Sequence, residues 1–178
     1  DLMTIRENFH RLKGLKVVYM GDGRNNVCLS LMMGCAKAGA HFVNCTPREL
    51  KPARACLDDV CAVACRNACT VTVEPEPSKA VVGAQVIYTD VWVSMGQEEE
   101  KEKRLAAFKK YQVNEKLLSA SRKNPFVMHP MPVHHGEELE SSLVYGPRSI
   151  LLDQAENRLH IQKAVLFYFM GAAGSEAL

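Results

Sequence analysis

Apolar positions along this chain switch repeatedly between strand-like runs and helical spacing. Leu15 to Met20 (LKVVYM) is short, β-branched and apolar toward both sides, as a strand buried inside a parallel sheet is. Gly21-Asp22-Gly23 turns the chain at once, and Val27, Leu31, Met32 and Cys35 then fall on one face of a helix from Asn25 to Ala38, closed by Gly39. His41 to Cys45 reads as a second strand. The pattern repeats as a helix from about Pro52 to Asn67, a strand at Thr70 to Val73, a short helix at Ser78 to Val82 and a strand at Gln85 to Thr89. A helix at Thr4 to Leu12, stopped by Gly14, precedes the series. A charged helix around Glu98 to Lys109, another at Asn114 to Ser121, a strand at Phe126 to Met128 and a long helix from about Asp153 to Met170 follow it.

This βαβαβαβ alternation predicts an α/β fold. The expected architecture is a doubly wound parallel sheet, Rossmann-like and three-layered (α/β/α), with right-handed crossovers and a single domain over residues 1–178. Functional residues are expected at the carboxyl ends of the strands.

Composition narrows the function classes. A length of 178 residues suits one core, and a net charge of +2 without a long Lys/Arg run lacks the footprint of a nucleic-acid binder. The apolar stretch Ala164 to Ala173 falls well short of the roughly 20 residues that a bilayer crossing needs, and the N-terminus lacks an apolar signal core. No membrane partner and a cytoplasmic setting are therefore expected. Seven irregularly spaced cysteines fit reduced thiols better than a disulfide framework. Cys61, Cys65 and Cys69 recur every four residues, but no CxxC pair or nearby His completes a metal site, so they read as small residues packing a helix face and no metal is assigned. Glu98 to Arg104 (EEEKEKR) reads as a solvated helix face, with Glu99–Lys103 and Glu100–Arg104 at pairing distance.

Three loops, each after an expected buried strand, carry unusual residues: Gly21 to Asn26 (GDGRNN), Asp90 to Gly96 (DVWVSMG) and His129 to Gly136 (HPMPVHHG). The first is not a dinucleotide fingerprint, because Asn26 stands where the third glycine belongs and the second strand ends in Cys45-Thr46 rather than an acid. Two asparagines at a helix N-terminus offer amides to a carboxylate or ammonium, while Asn25 also suits simple capping. Asp90 suits an ammonium, with Ser94 and nearby backbone amides taking a carboxylate. In the third loop two X-Pro bonds flank Met131, where a cis bond would turn a carbonyl toward the cleft. His129 reads either as a loop anchor or as a ligand contact.

GDGRNN, DVWVSMGQEEE, YQVN, MHPMP and DQAENRLH, in this order and spacing over nearly the whole chain, resemble the amino-acid-binding half of the ornithine carbamoyltransferase family. The SMG element is similar to the loop by which such enzymes distinguish ornithine from other acceptors. The resemblance implies that Asn26, Asp90, Ser94 and Met95 hold ornithine, with Asn25 a weaker contributor. It further implies that carbonyls around Pro130 and Met131 bind the carbamoyl nitrogen and that Arg158 meets the carbamoyl oxygen or phosphate. His129 and Arg158 are thereby the expected catalytic residues.

The family's usual H-C-L-P is here H-P-M-P, so Pro130 replaces a cysteine that lies near the reactive amine, as in aspartate-specific relatives. The S-x-R-T-R phosphate loop of the family's first domain does not occur in these residues. The expected partners are L-ornithine, and carbamoyl phosphate together with that missing domain. The family reaction needs no cofactor and gives citrulline and phosphate, with trimers or multiples of trimers as the expected assembly. Two alternatives are a carbamoyltransferase domain for a different amine, motivated by Pro130, and a non-catalytic amino-acid-binding domain, motivated by the missing half.

Overall fold

The computed structural model describes residues 1–93, 96 and 98–175. Its five strands are β1 (Lys16–Met20), β2 (His41–Cys45), β3 (Val71–Val73), β4 (Val86–Thr89) and β5 (Phe126–Met128). They form one sheet in the order β3-β2-β1-β4-β5, and every pairing is parallel. The helices are α1 (Leu2–Phe9), α2 (Asn26–Ala38), α3 (Arg54–Arg66), α4 (Pro77–Ala80), α5 (Lys101–Phe108), α6 (Glu115–Ala120), α7 (Ser141–Val144) and α8 (Leu151–Ser175).

Alternation along β1 splits the core into two layers. Val17 and Tyr19 face Ile5 of α1, Leu31 and Met32 of α2, and Val60 and Ala64 of α3. Val18 and Met20 face Ala80, Phe108, Leu118, Leu143 and Leu151 on the other side. Fully burying one such side chain contributes about 1.5–3 kcal/mol, and with helices on both faces the strands need no polar side. That is why they read as continuous apolar runs rather than alternating ones.

The strand order reverses between β1 and β4, so the crevice of this doubly wound sheet opens at their carboxyl ends, where the first two unusual loops begin. The third loop leaves β5, the next strand along.

Three local expectations are corrected. The charged segment is not one helix: a 3₁₀ turn at Glu98–Glu100 precedes α5, and a second at Lys109–Tyr111 follows it. Nor is it wholly solvated, because Arg104 is buried and pairs with Asp22 rather than with Glu100. The cysteine stripe does not pack: α3 buries Val60 and Ala64, one position before Cys61 and Cys65, and about 100° of helical rotation leaves both thiols exposed. Cys69 is buried, but it lies beyond the end of α3.

Helix α8 begins two residues before the expected start, and its two ends differ. Leu151, Gln154 and Asn157 are buried, whereas Ile161, Val165, Leu166, Phe167, Tyr168, Phe169 and Met170 are exposed. Among the described residues no helix is long and apolar enough to cross a membrane.

Candidate active site

The loop after β1 is held from below by the end of β2. Thr46 Oγ1 accepts the Gly23 N–H at 3.0 Å, and Asn44 Nδ2 donates to the Gly23 carbonyl at 3.2 Å. The backbone runs so close here that a Cβ on Gly23 would lie 2.8 Å from Asn44 Oδ1, the Leu50 carbonyl and Thr46 Cγ2. The loop then enters α2 through Asn25, whose Oδ1 accepts the Val27 N–H at 2.7 Å as an N-cap. Asn26, on the first turn, is exposed, with its Oδ1 3.0 Å from the same N–H.

β4 delivers Asp90 to the other side of the crevice, and the Thr89 hydroxyl pins this end to β1 by donating to the Met20 carbonyl at 2.9 Å. Asp90 is only 6% exposed. Its Oδ1 accepts the Val91 N–H at 2.8 Å, and the Asn25 side chain also hydrogen-bonds the carboxylate. Burial nevertheless dominates and raises its pKa above the usual aspartate value. Asn25 therefore serves both as the cap of α2 and as a partner of Asp90. Ser94 and Met95 lie outside the described residues.

Arg104 reaches both loops from α5. Its Nε–H donates to the Trp92 carbonyl at 2.7 Å and its Nη2 to Asp22 Oδ2 at 2.5 Å. A cleft of about 450 Å³ lies among Asp22, Asn25, Asn26, Leu50, Glu100 and Arg104.

The third loop has a different character. His129 is 0% exposed and both ring nitrogens are engaged: Nδ1 accepts the Met131 N–H at 2.9 Å, and Nε2 lies 3.1 Å from Glu138 Oε1. The ring proton therefore sits on Nε2 and is donated to Glu138. The same carboxylate oxygen accepts the His134 N–H at 2.7 Å. Burial works against the charged form of Glu138, yet the hydrogen bonds from His129 and from backbone N–H groups outweigh it and hold its carboxyl below the usual range. Of the two readings left open for His129, the geometry corresponds to the loop anchor; no ring nitrogen faces the crevice.

What the anchor holds is the turn that carries Pro130 and Met131. Pro130 is half-buried, and Met131 is exposed at φ +58°, joined to Pro132 by a cis peptide bond. The His129 N–H donates to Gln154 Oε1 at 2.9 Å, which ties the loop to α8. Arg158 stands one turn further along α8, exposed and without a hydrogen bond or ion pair to another described residue. Its neighbour Asn157 docks instead on α1, through Thr4 Oγ1 at 3.1 Å and Glu7 Oε2 at 2.6 Å.

Asp22, Arg104, Glu138 and Gln154 were not singled out from sequence. Gln154 lies inside the recognised DQAENRLH segment, which was its one signal; Arg104 and Glu138 sit in charged runs that resemble solvated surface. His134, Glu137 and Glu138 form a group of metal-capable donors within 4.8 Å of one another among the described residues. Glu138 Oε1 in that group is already committed to His129 and to the His134 N–H.

Residues 13–169 match the family model described as the Asp/Orn binding domain of aspartate/ornithine carbamoyltransferase. The chain is similar to the ornithine carbamoyltransferase of Hyperthermus butylicus, 49% identical over 93% of this chain and 53% of that protein. It is likewise similar to that of Gloeobacter violaceus, 48% identical over 96% of this chain and 54% of that protein. The solved ornithine carbamoyltransferase from Pyrococcus furiosus superposes with a TM-score of 0.88 at 45% identity, over 94% of this chain and 53% of that one. The chain thus spans about half the length of the relatives it matches. With the sheet order, the switch-point crevice and a family match over most of its length in agreement, the chain belongs to the aspartate/ornithine carbamoyltransferase family as its Asp/Orn-binding domain.

Proposed function

We propose that this chain is the ornithine-binding half of an ornithine carbamoyltransferase. The observation that carries this reading is Asp90: a carboxylate 6% exposed, its charge disfavoured by burial, at the strand-order reversal beside the N-terminus of α2. An α-ammonium supplies the counter-charge that Asp90 lacks. Asn26, and Ser94 with Met95 from the following loop, receive the α-carboxylate end, assisted by the positive end of the α2 dipole.

The side-chain amine of ornithine, with a solution pKa near that of lysine at about 10.4, attacks as the neutral base. Its nitrogen bonds to the carbamoyl carbon as the carbon–oxygen bond to phosphate breaks, and the amine gives up a proton, leaving citrulline and inorganic phosphate. The turn that His129 anchors presents backbone carbonyls around Pro130 and Met131 to the carbamoyl nitrogen, and Arg158 draws off charge from the carbamoyl oxygen or the departing phosphate. His129 acts here as a positioning residue. Most of the acceleration comes from alignment and electrostatic stabilisation, a task for donors fixed in advance.

The phosphate-binding side belongs, in this reading, to the other half of the enzyme. The exposed apolar end of α8 supports this, because a run containing Leu166, Phe167 and Phe169 facing water is a surface awaiting cover. Assembly as a trimer or a multiple of trimers, in the cytoplasm, completes the reading. Joining the chain to the carbamoyl-phosphate half of a relative and assaying citrulline tests it. Citrulline is expected from ornithine and carbamoyl phosphate with the joined enzyme and not with this chain alone. A folded joined enzyme that carbamoylates putrescine or lysine in preference would favour the alternative that Pro130 motivates.

A further inference from the structure

Arg104 comes from a segment whose composition marks it as surface, yet its side chain is only 10% exposed and Asp22's is 11% exposed. The guanidinium forks. Nε–H donates to the Trp92 carbonyl in the loop after β4, and Nη2 donates to Asp22 in the loop after β1. On the other side of Asp22, Oδ1 accepts the Arg24 N–H at 2.9 Å. The guanidinium carbon lies 5.3 Å from the Phe108 ring centroid, and the Trp92 ring stacks on Phe108 at 6.0 Å and 25°. One side chain thus bridges both loops at the strand-order reversal, through Asp22 and Trp92.

We propose that Arg104 is a positioning residue for acceptor binding, a clasp that sets the spacing between the Asp22–Asn26 loop and the loop after Asp90, and so the affinity for an ornithine-like zwitterion. This rests on the ornithine reading above. The function requires a planar fork with two donors on different nitrogens aimed at a carbonyl and a carboxylate. A lysine ammonium keeps the charge but cannot reproduce both directions at once. Charge alone is therefore insufficient, and Arg104→Lys should behave much like Arg104→Gln.

The chain carries its own reporter, since Trp92 is its single tryptophan. The experiment compares the wild-type chain with Arg104→Gln, Arg104→Lys and Asp22→Asn by three measurements: circular dichroism for folding, acrylamide quenching of Trp92, and titration with L-ornithine followed by Trp92 emission and amide NMR shifts. The expected result is an unchanged circular dichroism spectrum, a red-shifted and more readily quenched Trp92, and ornithine affinity lowered about tenfold or more, the scale of one lost charge-assisted contact. In the joined enzyme the same variants should raise KM for ornithine and leave KM for carbamoyl phosphate unchanged, which a merely structural defect would not do. If Arg104→Gln does not fold, Arg104→Lys and Asp22→Asn carry the test. Unaltered Trp92 quenching in folded variants overturns the clasp, as does ornithine affinity equal to that of a wild-type chain that binds. A wild-type chain that binds no ornithine, while the variants still loosen Trp92, overturns the acceptor role by way of the ornithine reading and leaves only a loop-holding contact.

Discussion

Two acidic residues on the same rim meet opposite fates. Asp90 and Glu138 are both withdrawn from water, at 6% and 0% exposure. Glu138 receives the His129 ring and the His134 N–H on Oε1, while its buried Oε2 has no hydrogen-bond partner among the described residues; the donors on Oε1 outweigh burial and its pKa is lowered. Asp90 has too few donors to offset its desolvation, and its pKa is raised. A buried carboxylate whose donors outweigh its desolvation holds a loop; one whose donors do not is a candidate partner for a cation from outside. In the reading proposed above, one side of the rim keeps its shape and the other receives the ligand.

The strongest way to break this contrast is to remove the internal partner. Glu138→Ala leaves the His129 ring N–H and the His134 N–H without an acceptor in a dry site, and should cost about 1–3 kcal/mol for each unsatisfied donor in urea unfolding. Glu138→Gln retains an acceptor oxygen and should cost clearly less. A Glu138→Ala cost near zero would mean that water satisfies the loop and that the anchor is not structural.

Asp90→Asn makes the converse test. It removes a charge that folding desolvates, so thermal stability should hold or rise while affinity for L-ornithine falls at least about tenfold, since a hydrogen bond to a charged group contributes about 1.5–3 kcal/mol. Calorimetric titration beside a thermal melt reads both effects, and a variant that loses stability and keeps affinity contradicts the assignment.

The same pair has opposite signatures in acid. Because the folded pKa of Glu138 is lowered, its stabilisation is present above the unfolded carboxylate pKa of about 4.3 and disappears as pH falls through its folded value. Because the folded pKa of Asp90 is raised, its penalty is full above that folded value and disappears below the unfolded value of about 3.9. Relative to wild type, Glu138→Gln should be less stable near neutrality and Asp90→Asn at least as stable, both differences shrinking in acid. Unfolding midpoints measured from pH 3 to pH 7 check the signs.

The smallest effect on stability is expected on α8. Phe167→Glu with Phe169→Glu changes side chains that are 81% and 69% exposed, so the fold should shift within about ±0.5 kcal/mol. Association with the carbamoyl-phosphate half should nevertheless weaken, as ultracentrifugation of mixed halves would read.

The sheet was legible because its strands are buried on both faces, which writes Val17–Met20 and Val86–Tyr88 as short, largely apolar runs between turns. Helix faces were less so. Val60 and Cys61 are adjacent in sequence and differ in exposure because the rotation of α3 about its axis is set by packing on α2, which a pattern of small residues does not specify. Arg104 was misread for a related reason: an isolated segment EEEKEKR favours solvent everywhere, and it takes the Trp92 carbonyl and Asp22, 82 residues away in sequence, to turn one guanidinium inward. Glu137 and Glu138 are indistinguishable by type; the fold buries the one whose neighbour, Leu139, enters the core beside Val113. Asp90 by itself reads as readily as a turn or helix cap; it stands out in the sequence because Trp92, Ser94, Met95 and Gly96 follow it after a buried strand.

The central claim is that the rim between Asn25 and Asp90 receives an ornithine-like zwitterion. Amide NMR of the chain titrated with L-ornithine addresses it most directly, because shifts report even weak binding and name the residues. Saturable shifts at Asn25, Asn26, Asp90 and Val91 are expected, lost in Asp90→Asn and absent when L-aspartate is added at equal concentration. Rim amides that do not move with ornithine, or that move equally with aspartate, would contradict it.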